Sequence, residues 1–76
     1  MKSGDIVYLA RTIPLCNIYE VLELKVTTIT NSYMIGVDIE TRTSYPFSES
    51  DIDKRIFTSY DEAKSAIDLL RKEKVK

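Results

Sequence analysis

From Ile18 to Thr30 the chain is rich in β-branched residues and holds neither glycine nor proline. Such a stretch fits a pleated, half-buried surface, so it commits the chain to a sheet. By the two-residue period, Leu22, Leu24 and Val26 share one face, with Glu23, Lys25 and Thr27 on the other. Ile29 breaks that parity. A bulge or sharp bend near Thr27-Thr28 restores it, and such bends help a small sheet curl into a barrel.

Shorter strand signals surround this one. Gly4-Asp5 is a turn signal before the apolar run Ile6-Val7-Tyr8-Leu9. Residues 10–17 read as a loop, because Pro14 lacks a ladder donor and pushes Ile13 toward an extended form. Ile13 and Leu15 suggest that this loop folds over one end of the core. After a tight turn at Asn31-Ser32, Tyr33, Ile35, Val37 and Ile39 take one face of a strand, and Met34, Gly36 and Asp38 take the other. The apolar count puts the first set inward and leaves Met34 outside. Ser44-Tyr45-Pro46-Phe47 is a short partner strand whose proline places it at an edge. Ser48 to Lys54 reads as an acidic loop with one helical turn that turns Ile52 inward, and Arg55 to Thr58 as a last short strand.

A helix over 59–74 closes the chain. Ser59 and Glu62 match a capping box, and Tyr60, Ala63, Ala66, Ile67 and Leu70 gather into one stripe at 3.6 residues per turn. Leu69 lies off that stripe. Seventy-six residues suffice for one domain. The pattern is therefore α+β, with five short antiparallel strands, a barrel or curled sheet over 1–58, and one C-terminal amphipathic helix.

Composition narrows the chemistry. Histidine is absent and Cys16 is the sole cysteine, so an internal disulfide, a Cys/His zinc site and a histidine-based nucleophile are all excluded. The segment Glu49, Asp51, Asp53 has alternating carboxylates, but it lacks a calcium loop's glycine and terminal glutamate, and Lys54-Arg55 follow it. No metal or cofactor is expected. The apolar neighbours Leu15 and Ile18 predict a buried or inert Cys16. The N-terminus has no signal-peptide stretch, and no run approaches the ~20 apolar residues of a membrane span, so a cytoplasmic protein without membrane contact is expected.

Two blocks are distinctive. The first is Gly4-Asp5-Ile6-Val7-Tyr8 with Ile18-Tyr19-Glu20 and Val26-Thr27-Thr28-Ile29. The second is Arg55-Ile56-Phe57-Thr58-Ser59-Tyr60-Asp61-Glu62-Ala63. On these the chain resembles small SH3-like barrel proteins with an appended helix, encoded by bacteriophages and mobile elements of Gram-positive bacteria. The resemblance implies that fold and a phage-like context, and it carries no catalytic residues to transfer. Residues 10–17, with Pro14 and Cys16, depart from the pattern.

Charge is unevenly spread. The net charge is −1, yet residues 38–70 carry eight acids against four bases, and residues 71–76 carry four bases against one acid. This is not the strong basic field of a non-specific nucleic-acid binder. The expectation is a non-enzymatic binding module acting by protein–protein contact, in the phage setting an accessory protein that engages or inhibits a host factor such as a nuclease or defence complex. Its acids Asp38, Glu40, Glu49, Asp51, Asp53, Asp61 and Glu62 would meet a basic surface. Tyr8 and Tyr19 are expected to be exposed, because Val7, Leu9 and Ile18 take the core; with Leu69 they complete the candidate contact set. The alternatives are a nucleic-acid-binding barrel using Arg11, Lys25, Arg42, Lys54, Arg55 and the tail, and a structural homo-oligomer joined by edge strands.

Overall fold

Five antiparallel strands in the order β4-β3-β2-β1-β5 form a curled half-barrel sheet, and one helix lies across part of its outer face. A computed structural model describes residues 2–74. The strands are β1 (Ile6–Ile13), β2 (Ile18–Ile29), β3 (Met34–Asp38), β4 (Ser44–Phe47) and β5 (Ile56–Phe57). Short 3-10 turns occupy Pro14–Cys16 and Glu49–Asp51, and helix α1 spans Tyr60–Lys74.

The long strand carries the predicted irregularity. Val26 pairs with Gly36 and Thr28 with Ile35, so Thr27 is the extra residue of a bulge. The bulge brings Ile29 opposite Met34 and bends the sheet toward a barrel. The inner face holds Val7, Leu9, Leu24, Val26, Met34, Phe47 and Ile56, with Ile52 packed against them from the acidic loop. Leu24, Ile56, Val7 and Val26 are the largest fully buried side chains, each worth about 1.5–3 kcal/mol of transfer free energy. On the outer face Ala10, Phe57, Ala63 and Ile67 form a second cluster, flanked by Tyr8, Tyr19, Val21 and Ala66. A helix of this length is marginal alone in water, so burial of Ala63 and Ile67 holds it in place. Ser59 Oγ accepts from the Glu62 amide at 3.5 Å, which is one half of the expected capping box.

Four expectations are corrected. First, β3 presents its other face to the core: Met34, Gly36 and Asp38 are buried, while Tyr33 and Ile39 are exposed. The core face of β2 fixes this, because Val26 lies across from Gly36 and Leu24 across from Asp38. Gly36 leaves room for Leu24 and Phe47, which a larger residue would deny them. Second, residues 10–17 are not a loop over the core. β1 runs on to Ile13, the turn starts at Pro14, and Asn17 closes it in the left-handed region at φ 55°. Leu15 is consequently 100% exposed at the tip. Third, Cys16 sits on the same tip and is exposed. Fourth, Tyr8 and Tyr19 are half-buried, because helix α1 covers their side of the hairpin.

The sheet's outer edges are guarded. Asp38 N donates to Thr43 O, so by antiparallel alternation Tyr45 and Phe47 bond inward to β3. Pro46 therefore faces the open edge of β4 and offers it no donor. The outer side of β5 is covered by its own loop, where Asp53 N donates to Ile56 O at 2.8 Å. Among the described residues, no helix is long and apolar enough to cross a membrane.

Candidate protein-binding surface

Where helix α1 begins, acids from separate segments converge. Asp53 lies in the loop between β4 and β5 in the left-handed region, at φ 67°. Asp61 and Glu62 occupy the first helical turn, where carboxylates are favoured by the helix dipole. With Ser65 they surround an open hollow of about 330 Å³ that also touches Phe57. On the other side of the helix start, Tyr8, Tyr60, Val21, Leu22, Glu23, Asp38 and Glu40 line a second hollow of about 220 Å³. Tyr8 and Tyr60 meet edge to face there, with ring centroids 5.9 Å apart.

Hairpin register explains the second grouping. Tyr8 pairs with Glu23 across β1 and β2, which puts the phenol and the carboxylate on one face. Asp38 ends β3, and its Oδ1 accepts from the amides of Glu40 at 2.8 Å and Thr41 at 3.3 Å. That turn holds Arg42 at φ 60° and presents Glu40 outward.

The predicted acids thus split into groups. Asp53, Asp61 and Glu62 come together, as do Asp38, Glu40 and Tyr8. Glu49 stands apart, in a hollow of about 420 Å³ between the β2–β3 turn and the acidic loop. Asp51 is occupied locally: Oδ2 accepts from the Ser48 amide at 3.0 Å, and Oδ1 lies 3.3 Å from Arg55 Nε. The Ser48 amide, with Arg55 assisting, holds the Asp51 carboxyl below the usual carboxylate range against a smaller opposing effect of burial. Tyr19 lies beneath the Arg71 guanidinium, 5.5 Å from ring centroid to Cζ, beyond either hollow. Leu69 is 63% exposed on the outer side of the helix.

Among the described residues two cations are paired with carboxylates. Arg11 donates to Glu20 Oε1 at 2.6 Å, which raises its already high pKa, and Arg55 faces Asp51. Glu23, Glu40, Asp53, Asp61 and Glu62 form no ion pair among the described residues. No described cation lies within ion-pair distance of them. Among the described residues no three acids or thiols stand close enough to hold a metal ion. Glu23, Phe57 and Tyr60 were not in the predicted contact set. The signal for Glu23 was its alternation against Leu22 and Leu24, which needed the hairpin register to place it beside Tyr8.

No family model matches the chain, and no curated protein or solved structure matches it.

Proposed function

We propose that this protein is a non-enzymatic binding module that acts by protein–protein contact, presenting the acidic end around the helix start to a basic surface of its partner. The observation that carries the reading is the meeting of Asp53, from a loop, with Asp61 and Glu62, from the helix, beside Phe57. Carboxylates drawn from two segments, with no ion pair among the described residues, strengthen the local negative field, which steers and registers a basic partner. On this reading the half-barrel is SH3-like and the protein is a phage accessory factor that engages or inhibits a host nuclease or defence complex, its carboxylates standing in for phosphates.

The nucleic-acid alternative has less support, because Arg11 and Arg55 are already paired with Glu20 and Asp51. Assembly through the outer strands has less support as well, since Pro46 blunts β4 and residues 52 and 53 cover β5. The test is capture of a protein partner by the wild-type chain and by the Asp53→Asn/Asp61→Asn/Glu62→Gln variant. Asparagine is chosen at 53 because it tolerates the left-handed backbone found there. Loss of the partner by the variant, with its fold retained, supports the reading; equal capture removes it.

A further inference from the structure

The β1–β2 hairpin outruns the strands on either side of it. On its β2 side, β3 pairs only as far as Leu24, with one further bond from Ile39 N to Glu23 O at 3.2 Å. Among the described residues no strand lies beside Ile18 to Leu22 on that side. Because Glu23 turns its carbonyl toward β3, alternation turns the backbone groups of Val21 and Tyr19 the same way. They form an open edge in line with the end of β3. An open edge of this kind is a template for one more strand.

The hollow bounded by Tyr8, Tyr60, Glu23, Asp38 and Glu40 begins where β3 stops. Asp38 is only 5% exposed, and the hydrogen bonds it receives among the described residues both go to Oδ1. Oδ2 has no donor and the carboxylate has no cation there. Among the described residues no buried side-chain oxygen lacks a hydrogen-bond partner, so Oδ2 is open to water and can accept from a donor supplied from outside. Glu23 and Glu40 add two more carboxylates with no ion pair among the described residues, and Tyr8 and Tyr60 line the same hollow. At about 220 Å³ the hollow is small for a drug-sized ligand and matches a single side chain. The spacing of the acids does not suit one compact metal ion, whereas a long ammonium or guanidinium side chain reaches several acceptors.

We infer that an extended segment of the partner adds to the β2 edge beside Ile18 to Leu22, and sets one lysine or arginine side chain into this hollow. The inference rests on the protein-binding reading above and names the partner's chemistry at a site separate from Asp53, Asp61 and Glu62. A second copy of the chain fits the edge less well. Antiparallel self-pairing through Tyr19 and Val21 brings up residues 18–22, which hold no lysine or arginine to enter the hollow. A register moved further toward Glu23 meets Ile39, already seated there.

The test is titration of the ¹⁵N-labelled full chain with a capped alternating valine–threonine peptide bearing one lysine, and with its norleucine twin. The expected result is shifted and exchange-slowed amides at Tyr19 and Val21, with the lysine peptide about five- to tenfold tighter at low salt. Glu23→Gln, Glu40→Gln and Asp38→Asn should each narrow that difference; asparagine keeps the Oδ1 acceptor of the turn. Equal affinity of the twins overturns the inference, as do shifts elsewhere or none up to about 5 mM peptide. Protection of Tyr19 and Val21 that grows with protein concentration alone also overturns it, by assigning the edge to a second copy. If any of these occurs while neutralising Asp53, Asp61 and Glu62 still abolishes partner capture, only this inference falls.

Discussion

Gly36→Ala introduces a methyl group at the tightest point of the inner face. An ideal Cβ there lies 2.9 Å from Leu24 Cβ, 3.0 Å from Leu24 Cδ1 and 3.5 Å from Phe47 Cε1. Carbon atoms rest comfortably at about 3.5–4.0 Å, so the closest pair must separate by roughly 0.6 Å or more. The nearest atom is the Cβ of Leu24, which is fixed to its backbone and cannot swing aside. Leu24 is fully buried, in a strand paired on both sides, so the separation has to come from β2 or β3 itself. Overpacking of this kind costs about 1–3 kcal/mol. Alanine returns about 0.5–1 kcal/mol by restricting the unfolded chain. The clash wins, and the expected net loss is about 1–2 kcal/mol. For a domain of this size that lowers Tm by roughly 5–15 °C. Thermal and urea unfolding followed by circular dichroism measure it. An unchanged or raised Tm, with an unchanged urea slope, would refute the packing argument.

Leu15→Ser, at a fully exposed site, should leave stability within about 0.5 kcal/mol, whereas Ile67→Ala should cost about 2–5 kcal/mol; chemical unfolding of both variants checks the contrast. Cys16 should react fully with a thiol reagent in the native protein without denaturant, and protection of the thiol would contradict its place on the turn. Asp51 has its folded pKa lowered, so its contribution is intact above the unfolded value of about 4. That contribution is lost as pH falls through the lowered folded value. Asp51→Asn should therefore reduce stability at pH 7 and bring less further loss on acidification below about pH 4 than the wild type shows.

Much of the architecture was legible locally. Ile29 announced the bulge by falling out of step with Leu22, Leu24 and Val26, and the register shift lies at Thr27. Pro46 marked β4 as an edge strand, and the spacing of Tyr60, Ala63 and Ile67 marked the helix. The orientation of β3 was not legible, because its side chains alternate correctly for either face. Counting apolar groups favoured Ile35 and Val37, but packing chose the face on which Gly36 yields space to Leu24 and Asp38 satisfies the following turn. Pro14 suggests an early end to strand structure, yet it opens a turn that Asn17 closes in the left-handed region. That shortening hid the register of the hairpin, and with it the placing of Glu23 beside Tyr8. Asp53, Asp61 and Glu62 were visible as acids, but their meeting around one hollow depends on tertiary packing of loop against helix.

The central claim is that the acidic end at the helix start binds a protein. Its most direct test is tagged capture from a nuclease-treated Gram-positive host lysate, comparing the wild type with the folded Asp53→Asn/Asp61→Asn/Glu62→Gln variant by mass spectrometry. The account predicts a stoichiometric protein partner that survives nuclease and falls about tenfold or more with the variant. A partner held equally by both proteins, or enrichment that disappears with nuclease, would contradict it.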